Sequence, residues 1–138
     1  MIEFTTQLRL APHAAFTLFT ERISLWWPPT HRLTKDPNSQ ITLSADGTFV
    51  ERATDGREMP LGHVVRWEPP HTLEFDFFMG TGPERPTRVL VTFTELDGGC
   101  LVRVVHQPTE ASRDLWDSTV SRYTTSWPAV LAAFQRAI

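Results

Sequence analysis

SRDLWDSTVSRYTTSWPAVLAAFQRAI, running from Ser112 to Ile138, is the stretch that decides the fold. Apolar residues fall at Trp116, Val120, Tyr123, Trp127, Leu131, Phe134 and Ile138, in steps of 4, 3, 4, 4, 3 and 4. That spacing makes one stripe along a helix and fits no strand. Ser112 is placed to cap its start, with Asp114 favourable in the first turn. Pro128 removes one amide and crowds the turn before it. The stripe keeps its phase across the proline, so the pattern predicts one long helix kinked near Thr124. Two Trp, a Tyr and a Phe on one face require a large apolar surface to cover.

The rest of the chain supplies strands for that surface. Ile2 to Leu10 alternates as a half-buried strand does. Pro12 opens a short helix at a position where a missing amide costs little, and Ala15, Phe16, Leu18 and Phe19 give it an apolar side. A second short turn carries Ile23, Leu25, Trp26 and Trp27 and ends at Pro28-Pro29. Thr30 to Ser39 reads as polar and irregular.

Six strands follow: Ile41–Ala45, Thr48–Ala53, Leu61–Trp67, Thr72–Phe78, Thr87–Leu96 and Cys100–Gln107. Asp46-Gly47, Asp55-Gly56 and Asp97-Gly98-Gly99 mark tight turns between them. Met79 to Pro86 holds two Gly and two Pro and is expected to be a mobile loop. Hairpin-length links make these strands antiparallel neighbours. The class is therefore α+β: a seven-stranded antiparallel sheet, two short helices between strands one and two, and a long C-terminal helix as cover. Residues 1–138 are expected to form one domain.

Composition excludes several classes. The net charge is −3, with 13 Lys and Arg against 16 Asp and Glu and no basic run, so no nucleic-acid partner is expected. No apolar run reaches the roughly 20 residues of a membrane span, and the N-terminus lacks the pattern of a signal peptide. Cys100 is the only cysteine, which fits a reducing compartment, so a cytoplasmic protein is expected. His13, His31, His63 and His71 show no metal-ligand spacing, and no phosphate loop or nucleophile elbow is present. No catalytic residue, metal or cofactor is assigned.

Three motifs resemble a known family: FTERISLWWPPTH after the first helix, TFVERATDG followed by GHVVRWEPPHTLEF, and His106 with Tyr123 and the run Trp127-Pro128-Ala129-Val130-Leu131. Together they resemble the activator of heat-shock-protein-90 ATPase homologue 1-like family, within the START-like, helix-grip (SRPBCC, birch-pollen-allergen-like) superfamily. The resemblance covers nearly the whole chain. Where that family often has Gly-Gly, a Gly and an aromatic, and a Gly, this chain has Gly47-Thr48, Gln107-Pro108 and Ser126. The resemblance implies a sheet curled around the helix with a hydrophobic cavity between them. Its members include ligand carriers, sensors, cyclase-like enzymes and co-chaperones.

The leading expectation is a binding module for a small apolar or amphipathic molecule. Its expected ligand-binding residues are Trp26, Trp27, Phe49, Glu51, Phe75, Phe77, Val91, His106 and Trp127. The alternative reading for the Phe and Val positions is a dry core. For His106 and Glu51 it is a hydrogen-bonded histidine and a buried ion pair. Phe49 could face either side, because Val50 competes for the inward position. Val64 and Trp67 differ in parity, so strand four needs either a bulge or an outward Trp67. A second function is a cyclase- or dehydratase-like enzyme with His106 and Glu51 as candidate acid and base. A third is a co-chaperone-like interaction domain. A homodimer and a chaperone partner are left open.

Overall fold

The computed structural model describes residues 1–138. Seven strands, β1 (Ile2–Leu8), β2 (Gln40–Leu43), β3 (Thr48–Arg52), β4 (Glu58–Glu68), β5 (Thr72–Phe77), β6 (Thr87–Leu96) and β7 (Gly99–Pro108), form one antiparallel sheet. The order is β1-β7-β6-β5-β4-β3-β2, so six strands follow as a meander and the first strand closes onto the last. Helix α1 (Pro12–Phe19) and 3-10 turns at Ile23–Leu25 and Pro29–His31 lie between β1 and β2. A 3-10 segment, Glu110–Leu115, leads into α2 (Trp116–Arg136).

Period-two patterning sets the inner face. Leu73, Phe75 and Phe77 on β5, Val89, Val91 and Phe93 on β6, and Val102, Val104 and His106 on β7 are all buried. The stripe on α2 meets them with Trp116, Tyr123, Trp127, Leu131 and Phe134 buried and Val120 half-buried. Phe134 packs against Phe19 and Trp26, with ring centroids 5.3 and 4.9 Å away. Phe49 and Glu51 both face inward on β3, which settles the competition with Val50.

The parity conflict in β4 resolves as a bulge. Val64 pairs with Phe75 and Arg66 with Glu74, which leaves Val65 without a partner. The extra residue restores phase, and Trp67 turns back onto Phe16, with ring centroids 5.2 Å apart. A second irregularity leaves Leu61 unpaired between Gly62 and Pro60. Gly62 is required there, since a Cβ would lie 2.2 Å from the carbonyl oxygen of Asp76. At the β6–β7 hairpin, Asp97 and Gly98 both adopt positive φ, +52° and +78°, the backbone of a tight two-residue turn.

Four local expectations change. Ser112 does not cap the long helix: it sits inside the 3-10 segment, where Thr109 N donates to its Oγ at 3.0 Å. Ile138 is 52% exposed, because α2 ends at Arg136 and the chain leaves the helical path before the stripe reaches it. Leu25 points outward at 71% exposure, since the 3-10 turn rotates it away from Ile23 and Trp26. Thr30 is not irregular: it lies in the second 3-10 turn. Helix α2 continues through Pro128, whose position is on the exposed side, as is Thr124. The Thr124 carbonyl that loses its amide partner therefore faces water, where the loss costs little.

Phe134 tests how far stability depends on the helix–sheet contact. Its ring is fully buried against two aromatic neighbours, so Phe134→Ala should cost about 3–5 kcal/mol in chemical denaturation. An unchanged unfolding midpoint would refute the contact.

Candidate functional site

The site begins with Trp127. Its side chain enters the core from α2, and its indole N–H donates to His106 Nδ1 at 2.9 Å. An indole nitrogen only donates, so Nδ1 accepts and the imidazole proton sits on Nε2. Nε2–H then donates to Thr87 Oγ1 at 2.7 Å. The Thr87 hydroxyl is left to turn toward the carbonyl of Phe77, 3.4 Å away. Phe77, Trp116, Tyr123 and Trp127 surround the ring. Burial, with a smaller contribution from the N-terminal ammonium, pushes the His106 pKa down to about 3. His106 is thus a neutral linker with both nitrogens engaged.

Glu51 is fully buried at the far side of the sheet. Oε1 accepts from Leu33 N at 2.7 Å, and Oε2 accepts from Thr34 N at 3.2 Å and Thr34 Oγ1 at 2.5 Å. Nearby Arg32 donates instead to Ser24 O, Trp27 O and Ser39, at 2.7–3.2 Å. The carboxylate thus organises the segment before β2 through hydrogen bonds. No ion pair involves it. Four strand steps separate β3 from β7, about 19 Å across the sheet. Glu51 and His106 share no hydrogen-bond partner and each is engaged on its own strand.

An apolar cavity of about 50 Å³ opens between the middle of α2, the end of β5 and the segment carrying Trp27 and His31. Trp27, Phe77, Met79, Tyr123, Trp127 and Val130 form its walls, and His31, Arg122 and Ser126 complete its lining. The polar atoms of those walls are already used. Trp27 Nε1 donates to His31 O at 3.2 Å, and Tyr123 Oη donates to Met79 O at 2.8 Å. Trp127 Nε1 is held by His106. Burial lowers the His31 pKa from its ordinary value.

The structure brings Trp27, Phe77 and Trp127 together around this cavity. Trp26, Phe49, Phe75 and Val91 pack in the core behind it, and His106 sits one contact away, behind Trp127. Met79, Tyr123 and Val130 were missed. Tyr123 lies on the helical stripe. Val130 lies three residues beyond Trp127, so both were legible as the same face. Met79 was hidden in a segment read as mobile. That segment is tied down: Gly82 N donates to Phe78 O at 2.7 Å, and Thr109 Oγ1 and Ser112 Oγ donate to Pro86 O at 2.6 and 2.8 Å. Arg85 adds a bond to Ala111 O and an ion pair with Asp114.

A sheet curled around one long helix, with an apolar cavity at their junction, defines a helix-grip protein. The match to the family model described as activator of Hsp90 ATPase homolog 1-like protein spans residues 9–138, and the chain belongs to that family. Comparison with curated protein sequences gives no match. Solved structures share the fold at low identity. A Rhodobacter sphaeroides protein is 18% identical, with a TM-score of 0.68 over 98% of this chain and 89% of its own. The Aha1 dimer from Colwellia psychrerythraea is 16% identical, with a TM-score of 0.65 over 99% and 93%. Ara h 8.0201 is 14% identical, with a TM-score of 0.64 over 99% and 95%.

The buried imidazole makes stability depend on pH. Unfolded, His106 takes up a proton near pH 6.5; folded, only near pH 3. Acid therefore favours the unfolded chain. The stability tied to neutral His106 is complete above pH 6.5 and declines as pH falls toward 3, by up to about 1.4 kcal/mol per pH unit. His31, also lowered by burial, adds to the same slope. The thermal midpoint should fall between pH 6.5 and about 4.5, above the ordinary carboxylate range, and His106→Gln should flatten that decline. Equal slopes in the two proteins would show that His106 is already charged in the fold.

Proposed function

We propose that this domain binds a small apolar or amphipathic molecule in the cavity between α2, the end of β5 and the segment carrying Trp27 and His31. One observation carries the proposal. The wall donors are all spent on protein acceptors, yet the walls do not close on each other. Aromatic and aliphatic walls whose indole and phenol donors are already spent, open to one side, favour apolar matter over water. Membership of the family and the helix-grip fold support the reading without fixing a ligand.

The size of the cavity limits the occupant. At roughly 10–15 Å³ per water-sized position, 50 Å³ holds about three to five non-hydrogen atoms. A long acyl chain would need the walls to part. The expected event is binding without chemistry at His106 or Glu51, since the first has no free nitrogen and the second is committed to a loop.

The proposal takes residues 1–138 as one binding domain. It places the protein in the cytoplasm, where the buried thiol of Cys100 would stay reduced. It also admits pairing with a second copy, a reading supported by the dimer described for the Colwellia relative. A chaperone partner rests on the family description alone.

Trp27 and Trp127 both border the cavity and report on it. Hexan-1-ol should shift tryptophan emission saturably. Ser126→Phe, a substitution at the half-buried rim, should block that shift while leaving the unfolding midpoint near that of the parent. A linear, unsaturable response in both proteins would remove the cavity as a binding site.

A further inference from the structure

We propose that the cavity selects a carboxylate: a short acid whose tail of about three to five non-hydrogen atoms enters the cavity while Arg122 holds its anionic head. This rests on the apolar-binding reading and adds the chemical class of the ligand.

Three observations carry it. First, Arg122 is the one formally cationic side chain lining the cavity, and no carboxylate lines it. The seven ion pairs of the chain engage Arg52, Arg57, Arg66, Arg85, Arg88 and Arg103, not Arg122. Other arginines, Arg9 and Arg136 among them, are also outside these pairs and amount to ordinary solvated charge. What separates Arg122 is its place at the edge of an apolar void.

Second, Ser126 lies four residues further along α2, on the same face and on the same lining. Ser118, Thr119, Thr124 and Thr125 bond back to carbonyls of the preceding turn. Ser126 makes no such bond, so its hydroxyl is free to donate. A planar guanidinium fork and a hydroxyl one turn away match the two oxygens of a carboxylate.

Third, the remaining polar groups cannot compete. Burial lowers the His31 pKa and so disfavours its charged form, and Thr30 Oγ1 already engages its Nδ1 at 3.0 Å. The Tyr123 hydroxyl is held by Met79 O. The head group is thereby directed to Arg122 and Ser126, and the tail to Phe77, Trp127 and Val130.

The test titrates the intact chain with hexanoate, hexan-1-ol and hexylamine near neutral pH, following tryptophan emission. Hexanoate should bind about fivefold more tightly than hexan-1-ol, the gain expected for one exposed ion pair. Hexylamine should bind more weakly than either. The gap between acid and alcohol should close in Arg122→Gln and, in the parent, shrink at high ionic strength. Equal affinity for acid and alcohol in the parent, or a gap that survives Arg122→Gln, overturns the carboxylate assignment and leaves the apolar site standing. Failure of all three probes overturns both.

Discussion

The hydrogen bond from the Trp127 indole to His106 Nδ1, 2.9 Å long, joins the covering helix to β7, the strand between β1 and β6. It is a polar contact in an apolar layer, so its loss would strand two groups without water to replace either partner. It also fixes the imidazole tautomer, and the tautomer in turn aims Nε2–H at Thr87. Dispersion and burial hold α2 against the strands without choosing a single angle for it. A directed bond between one helix position and one strand position makes that choice. The cavity beside Trp127 inherits its shape from it.

Much of this architecture was legible in the chain because period is a direct readout of which face is buried. The 4-3-4 spacing from Trp116 to Phe134 and the alternation in β5, β6 and β7 each mark the residues that are buried. Asp46-Gly47 and Asp97-Gly98 marked turns because few residues take positive φ. Other features depend on tertiary contacts that no local pattern encodes. Ser112 looked like a helix cap, but the carbonyl of Pro86, 26 residues away in sequence, recruits its hydroxyl. Leu25 is apolar and sits between buried Ile23 and Trp26, but a 3-10 turn advances the chain differently from an α-helix and leaves it in solvent.

The site shows the same division. Trp27, Phe77 and Trp127 could be anticipated as aromatics on inward faces. Arg122 could not, because an exposed arginine on a helix carries no signal until a void is found next to it. Glu51 and His106 stood out in the sequence as polar residues on apolar faces, which is also how catalytic pairs stand out. The structure gives each a separate structural partner and a separate place in the sheet. Fold and family thus rest on patterns that run the length of the chain, and the proposed function on a few contacts along the middle of α2.

Val65 adds a residue to β4 without adding a rung to the ladder. In evolutionary terms it is a neutral site for a change in length. A chain lacking Val65 keeps Val64 and Trp67 on the inner face, since the residue removed is the one that the neighbouring strand never counted. A chain lacking His63 instead exchanges the two faces of everything beyond it, because His63 is paired with Asp76. Insertions and deletions among relatives should therefore collect at the first position and be purged at the second, although the two lie only two residues apart in the same strand.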